Sequence, residues 1–218
     1  PMMDVFEEAK AHSCELVVTH HPLIFQSLKQ VNDESYDGRN LLYLIENGIA
    51  SLNLHTNLDC CPGGVNDVLA SRLGLANVEI LNPVGTDEKG RPYGLVRMGE
   101  VAEQTLAAFA AFVKRVLSCP GVRFSDAGKP VRKVAVGGGS CGSEIGDVIA
   151  AGCDTFVTAD LKYNHFEEAK YRGLNLIDAG HFETENPICG VLEGILREAF
   201  PEIPVFRARA HRDETQFL

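Results

Sequence analysis

The chain has 218 residues, enough for a sizeable core, since a domain of this length buries about 70% of the surface its unfolded form exposes. Hydrophobic residues make up 45% and charged residues 23%, as in globular proteins, and the net charge of −10 argues against nucleic acid and anionic membranes as partners. No apolar run approaches the ~20 residues of a membrane span. The seven cysteines are odd in number and lack CxxC spacing, which argues against a disulfide framework and predicts a cytoplasmic location.

Short apolar runs alternate with helix-like segments along the first half of the chain. The predicted elements are, in order, a helix at 3–12, a strand at 16–19, a helix at 39–47, a strand at 49–54 and a helix at 66–73. Gly48 and Gly74 follow two of these helices, where glycine is a common C-terminal signal. Residues 77–102 contain short β-like runs interrupted by Pro and Gly.

The second half repeats this rhythm and predicts a layered α/β fold with mostly parallel strands. Its predicted elements are a helix at 103–117, a strand at 131–136, a helix at 143–150, a strand at 155–158, a helix at 164–171, a strand at 174–177 and a helix at 188–199. We therefore expect one domain over 1–218, built from two pseudo-repeated halves, roughly 1–102 and 131–218. The helix at 103–117 would join them.

Three segments carry imidazole and carboxylate groups directly after predicted strands. They are Thr19–Phe25 (THHPLIF), His55–Asp59 (HTNLD) and Asp178–Glu185 (DAGHFETE). Ligands of α/β folds collect at the carboxyl ends of strands, so the three segments predict a common site. Four histidines and several carboxylates form a donor set that suits one or two divalent metal ions.

Each of these signals also has a simpler structural interpretation. His20 and His21 would point to opposite faces of a continuing strand, one into the core and one to the surface. They reach one site only if the strand has ended, which Pro22 favours. Asp59 is predicted to lie in a turn, where Asp is ordinarily a turn former or a cap.

The spacing of the other candidates leaves similar alternatives open. His181 and Glu185 are four residues apart and share a face if a helix begins there, although such pairs are also common on solvated helices. His55 is a candidate metal ligand, a residue that orients a ligand, or a proton-transfer group, and we favour the orienting role. Three imidazoles and two bridging carboxylates would give each of two ions about three protein ligands, with room for water. Zinc, iron, manganese, cobalt and nickel all suit this donor set.

Polar residues also follow the predicted strand at 155–158. Asp160, Lys162 and Tyr163 are candidates for orienting ligands or holding substrate, although ordinary loop polarity explains them equally well. The remaining histidines are predicted to lie on the surface: His12, His165 and His211.

The glycine-rich stretch Gly137–Gly142 satisfies the GxGxxG pattern between a strand and a helix. Asp154 and Asp160 lie roughly where a ribose-binding acid would be expected. The pattern is weak, and a tight strand-to-helix turn that shapes the wall of a pocket explains it as well.

The chain resembles the Nif-three-like dinuclear metal-centre family in four segments, VVTHHPLIF, LNLHTNLDCCPGGVNDVLASRLGL, FVTADLKYNHFEEA and NLIDAGHFETE. Bacterial members of that family are often described as GTP cyclohydrolase 1 type 2 homologues. The resemblance implies two divalent metal ions per chain, with bridging carboxylates and with five ligands: His20, His21, Asp59, His181 and Glu185. It also implies a toroidal homohexamer, a trimer of dimers, with its sites facing an internal cavity.

The chain departs from the family pattern in two places. Members usually begin with a segment that carries a Trp-Asp-Asn-type motif and a first strand, and we expect this chain to lack it. The long middle insertion of some members is also absent, because too few residues separate Gly74 from Val131.

The leading functional hypothesis is a metal-dependent hydrolase or cyclohydrolase that acts on a nucleotide-like small molecule, with His55 as candidate acid/base. A metal-binding or metal-trafficking protein without turnover is the main alternative, because open coordination serves both roles. A third hypothesis is a regulatory scaffold that binds other proteins.

Overall fold

The computed structural model describes residues 2–218 and shows an α/β protein, as predicted. Its first elements are α1 (Met3–Ala11), β1 (Leu16–Thr19), α2 (Tyr36–Glu46), β2 (Ala50–Asn53), α3 (Thr56–Cys60), α4 (Val65–Arg72), β3 (Ala76–Leu81), β4 (Gly85–Thr86), β5 (Pro92–Tyr93) and β6 (Val96–Gln104). The later elements are α5 (Leu106–Leu117), β7 (Arg123–Ser125), β8 (Val131–Val136), a 3₁₀ turn (Gly142–Glu144), α6 (Ile145–Ala150), β9 (Thr155–Thr158), α7 (Tyr163–Tyr171), β10 (Asn175–Asp178), α8 (His181–Glu185) and α9 (Pro187–Ala199).

The chain separates into two compact units. The first unit contains residues up to Leu58 together with Glu193–Glu214, and the second contains Asp59–Leu192 together with Thr215–Leu218. This division follows contacts in space, whereas the halves 1–102 and 131–218 follow the rhythm of the sequence. The pseudo-repeat therefore stays a prediction.

The first unit contains a pair of parallel strands with two helices. β1 and β2 pair so that Thr19 lies opposite Asn53, which brings the carboxyl ends of both strands to the same edge. The core of this unit is a small cluster of buried apolar side chains from α1, β1, α2 and the segments next to the strands: Phe6, Ala9, Val17, Leu23, Leu44 and Ile49.

The second unit contains a mixed sheet of six strands within the described residues, in the order β3-β6-β8-β9-β10-β7. β8, β9 and β10 are parallel, because α6 and α7 connect them as crossover helices. The other pairings in this sheet are antiparallel and come from the Pro- and Gly-interrupted middle segment and from β7. The sheet is thus parallel at its centre and antiparallel at both edges, so in this sheet the prediction of mostly parallel strands holds only for β8, β9 and β10.

Both faces of the central strands are buried. Successive residues of β8 enter different core clusters, Val134 and Val136 on one face and Ala135 on the other. Phe156 and Val157 of β9 divide in the same way. This explains why the buried parts of these strands, such as 134–136 and 156–157, appear in the sequence as consecutive apolar residues rather than alternating ones.

Element positions agree closely with the sequence patterns, with one correction near the candidate site. Asp59 was predicted to lie in a turn, but residues Thr56–Cys60 form the short helix α3. The prediction was wrong because a segment of five residues is too short to show helical periodicity. Within residues 2–218, no helix has the length and apolar character needed to cross a membrane.

Candidate metal centre

A cluster of three histidines lies at the carboxyl ends of β1 and β2. His20 and His21 directly follow β1, and His55 lies two residues after the end of β2. The ring centroids are 5.1 Å apart for His20 and His21, 5.4 Å for His20 and His55, and 5.6 Å for His21 and His55. One ring nitrogen of each lies within 4.8 Å of the others, close enough for a single metal ion to bind all three.

Backbone and side-chain hydrogen bonds fix this end of the first unit. Nδ1 of His20 donates to the carbonyl of Leu54 at 2.7 Å. Because a carbonyl only accepts, Nδ1 carries the proton, and the lone pair of the neutral ring lies on Nε2. The hydroxyl of Thr19 donates to the carbonyl of His21 at 2.8 Å and accepts from Asn53 at 2.6 Å. The chain therefore turns out of β1 at Thr19, as both histidines require.

A second group of donors lies in the second unit, at the start of α8. Nε2 of His181 lies 3.1 Å from Oε1 of Glu185. These two residues, four apart in the chain, therefore share one face of the helix, as predicted. Nδ1 of His181 donates to Oδ2 of Asp160 at 2.7 Å. The hydrogen bond to Glu185 raises the pKa of His181 to about 9, while burial opposes this shift and Asp160 adds to it. The imidazole is thus cationic at neutral pH, and a metal ion would have to displace a proton to bind Nε2.

Strand register brings Asp160 to His181. β9 and β10 are parallel, with Thr158 opposite Asp178, so the loops that follow them are neighbours. Asp160 has a φ of +53°, in the left-handed region that Asp tolerates better than most residues. Its contact with His181 agrees with the orienting role considered for it, whereas Lys162 and Tyr163 are exposed at the start of α7 and their roles remain predictions.

Two carboxylates are buried close together in the same unit. Asp59 is 7% exposed and Glu185 8% exposed, and an oxygen of one lies within 4.8 Å of an oxygen of the other. Two ionised carboxylates at this distance repel each other unless a proton or a cation lies between them. A divalent ion would remove this repulsion, so the pair fits a bridging role.

The glycine-rich stretch forms a wall beside these donors. A Cβ atom on Gly139 would overlap with Oε1 of Glu185 and lie 3.0 Å from Nε2 of His181. Gly139 also has a φ of +62°, which glycine adopts without strain. This contact agrees with the interpretation of the GxGxxG pattern as a turn that shapes a pocket wall.

Asp178 begins the third predicted segment, but sequence reasoning gave it no role of its own. Its carboxylate is 6% exposed and accepts hydrogen bonds from the backbone N–H groups of Leu161 and Gly180, at 3.1 and 3.2 Å. It also pairs with Arg123. Asp178 thereby ties the loop after Asp160 to the turn before His181. The available signal was an acidic residue at the end of an otherwise apolar strand.

The other histidines lie outside both groups of donors. His12 and His211 are exposed, as predicted, whereas His165 is half-buried and its Nδ1 accepts from the N–H of Lys162 at the start of α7. The structure thus groups His20, His21 and His55 in the first unit. In the second it groups Asp59, Asp160, His181 and Glu185.

A sequence model of the Duf34/NIF3 (NGG1p interacting factor 3) family matches residues 1–214. The chain belongs to the DUF34/NIF3 family. Two members are similar over most of their length, and both are named GTP cyclohydrolase 1 type 2 homolog. The one from Clostridium perfringens is 30% identical over 99% of this chain and 82% of its own. The one from Streptomyces coelicolor is 39% identical over 87% of this chain and 68% of its own.

Solved structures of the NIF3 type have the same fold. A Bacillus cereus protein related to NIF3 matches 100% of this chain and 87% of its own, with a TM-score of 0.91 and 25% identity. A Staphylococcus aureus hypothetical protein matches 100% and 84%, with a TM-score of 0.91 and 29% identity. The layered α/β fold predicted from the sequence is therefore confirmed.

Proposed function

We propose that the protein binds two divalent metal ions per chain through five residues, His20, His21, Asp59, His181 and Glu185, with the two carboxylates bridging. Imidazole and carboxylate groups suit zinc, iron, manganese, cobalt and nickel. Each donor group described above supports the part of this ligand set that it contains.

The orientation of His181 is the observation that carries the proposal. Its Nδ1 is bonded to the Asp160 carboxylate, and its Nε2 faces Glu185. Histidines that bind metals almost always donate their other ring N–H to a carboxylate, a carbonyl or water, which fixes the ring and raises its basicity. His20 has the same arrangement, with the Leu54 carbonyl as acceptor.

We further propose that the bound ions serve the hydrolysis of a nucleotide-like small molecule, as the name of the similar family members suggests. Divalent ions at this site would supply Lewis-acid chemistry. His55 lies within the three-histidine cluster and would accept or return a proton, or orient a neighbouring imidazole. The Gly139 turn and the Asp160 bond would hold the His181 ring still during the reaction.

The resemblance to this family also leads us to propose a homohexamer in the cytoplasm. Light scattering should give six chains per particle at micromolar concentration. A monomer under those conditions would contradict the proposed assembly.

Turnover of nucleotides by metal-loaded protein tests the proposed reaction. The protein is loaded in turn with Zn²⁺, Mn²⁺, Fe²⁺, Co²⁺ and Ni²⁺ and incubated with purine and pyrimidine nucleotides, and products are separated by chromatography. His20→Ala should lose metal and turnover together, while His12→Ala, an exposed histidine outside the cluster, should keep both. Protein that binds two ions, turns over no nucleotide and passes metal to an apo-acceptor would show that metal transfer, not hydrolysis, is its function.

A further inference from the structure

Asn66 is a fully buried amide in α4 with hydrogen bonds on both sides. It is 0% exposed. Its Nδ2 donates to the carbonyl of Leu95 at 2.6 Å and to that of Asp59 at 3.2 Å, and its Oδ1 accepts from the N–H of Gly138 at 2.7 Å. The two carbonyls can only accept and the N–H can only donate, so one orientation of the amide satisfies all three.

A polar residue at this position is costly. Asparagine is a poor helix former, and a buried amide loses its hydration unless every hydrogen bond is replaced. Leucine has nearly the same shape and would favour both the helix and the core. The buried Asn66 is therefore explained by the three backbone groups it joins.

One of these groups belongs to the glycine turn beside Glu185. A Cβ on Gly138 would lie 3.4 Å from Cγ of Glu185 and 3.4 Å from the carbonyl of Thr184. The N–H of Gly139 donates to the hydroxyl of Thr184 at 3.0 Å. A short path of hydrogen bonds therefore runs from Asp59 through Asn66 and the glycine turn to the residue before Glu185.

The end of α3 is held from another direction by Arg97. This side chain is 1% exposed and donates to the carbonyls of Cys60 at 3.2 Å and Cys61 at 3.4 Å. It also pairs with Asp67. Arg97 fixes where α3 ends, but of these two residues only Asn66 also contacts the glycine turn.

We propose that Asn66 is a positioning residue that sets the separation of the Asp59 and Glu185 carboxylates, and with it the spacing of two bound ions. This role rests on the proposed metal centre. Bridging carboxylates tolerate little change in separation, because each must reach both ions at metal–oxygen distances near 2 Å.

Replacing Asn66 by leucine removes all three hydrogen bonds without adding a charge. Asn175→Leu is a matched control, because Asn175 is also 0% exposed and also bonds two backbone groups, the N–H of Ala127 and the carbonyl of Lys129. It lies at the amino end of β10, whereas His181 follows the carboxyl end. Asn66→Ser provides a smaller second variant in case the leucine variant does not fold.

The wild type and the three variants are then compared by three measurements. These are the affinity for Mn²⁺, the spin coupling of the bound Mn²⁺ pair, and crystal structures without metal. We expect both Asn66 variants to bind Mn²⁺ roughly 10–100-fold more weakly, the range measured when groups that hold metal ligands are removed, and to show altered coupling. Asn175→Leu should lose stability but keep wild-type affinity and coupling.

Wild-type affinity and coupling in Asn66→Leu or Asn66→Ser would overturn the positioning role. Equal weakening in Asn175→Leu would also overturn it, because the effect would then be a general loss of stability. If the wild type binds no Mn²⁺, the proposed metal centre fails, and the metal-free structures decide the role of Asn66. A changed Asp59–Glu185 separation in the variants supports it, and an unchanged separation contradicts it.

Discussion

The Nδ1–H group of His181 donates a hydrogen bond of 2.7 Å to the carboxylate of Asp160. The two residues lie in loops that follow neighbouring parallel strands. This bond leaves Nε2 facing Glu185, 3.1 Å away. A histidine held between two carboxylates has a fixed orientation and a raised basicity, which are the properties a metal ligand needs.

Asp160→Asn should weaken the binding of a divalent ion roughly 10–100-fold. Asparagine tolerates the left-handed backbone and can still accept the hydrogen bond, so the variant removes only the negative charge that makes His181 more basic. Isothermal titration with Mn²⁺ measures the change. Glu167→Gln removes a charge from an exposed position of α7 and should bind as the wild type does. Equal affinity in the wild type and Asp160→Asn would show that the charge of Asp160 does not contribute to metal binding.

Asp59→Ala and Glu185→Ala should each weaken the binding of both metal ions, because a bridging ligand contacts two ions. Elemental analysis after dialysis gives the number of ions retained per chain. Asp59→Ala also removes one of two mutually repelling buried carboxylates, so this variant without metal should resist urea at least as well as the metal-free wild type. The loss of only one ion in both variants would refute the bridging assignment.

His55→Ala should slow turnover by roughly 10²–10⁴ if His55 is the acid/base, while both ions remain bound. His20→Ala should lose metal and turnover together. Metal content and steady-state rates, measured on the same preparations, distinguish the two patterns. If His55→Ala also loses metal, His55 is a ligand, which its place in the three-histidine cluster would equally allow.

Gly139→Ala should abolish metal binding, because the added methyl group overlaps with Glu185. Gly128→Ala is the matched control: its φ of +76° is similarly left-handed, but among described residues no atom lies within 4 Å of its added Cβ. Both variants carry the strain of a left-handed alanine, about 1–2 kcal/mol. Thermal unfolding measures that shared cost, and titration with Mn²⁺ should show a loss only for Gly139→Ala. Normal binding by this variant would show that the turn does not shape the site.

The protein should lose stability between about pH 9 and pH 12. Burial raises the pKa of Cys119 to about 12, with the Glu183 charge adding to the shift, and burial likewise raises the pKa of Cys141 to about 12. Because the folded pKa is above the unfolded value, the stabilisation is complete below the unfolded pKa and is lost as pH rises towards the folded one.

Urea unfolding under reducing conditions, repeated at several pH values in this window, tests the thiol contribution. The double variant Cys119→Ala, Cys141→Ala should be less stable at pH 8 because it lacks two buried groups, but its stability should fall less steeply with pH. The same slope in both proteins would show that these thiols do not govern alkaline unfolding.

Local sequence patterns were sufficient for most of the elements and for the types of donor. The apolar runs of β8, β9 and β10 were recognisable because burial on both faces requires continuous hydrophobic residues. The shared face of His181 and Glu185 followed from the helical period alone, because neither residue depends on a distant part of the chain.

Only the tertiary structure showed what lies around those donors. Asp160 meets His181, and Asp59 meets Glu185, because of the pairing order of the strands and the packing of α4, which no local period encodes. The buried Asn66 looked like an ordinary helix residue, since its partners are separated from it in the chain. Sequence alone thus determined which groups follow each strand, whereas long-range pairing and burial decided which of them meet.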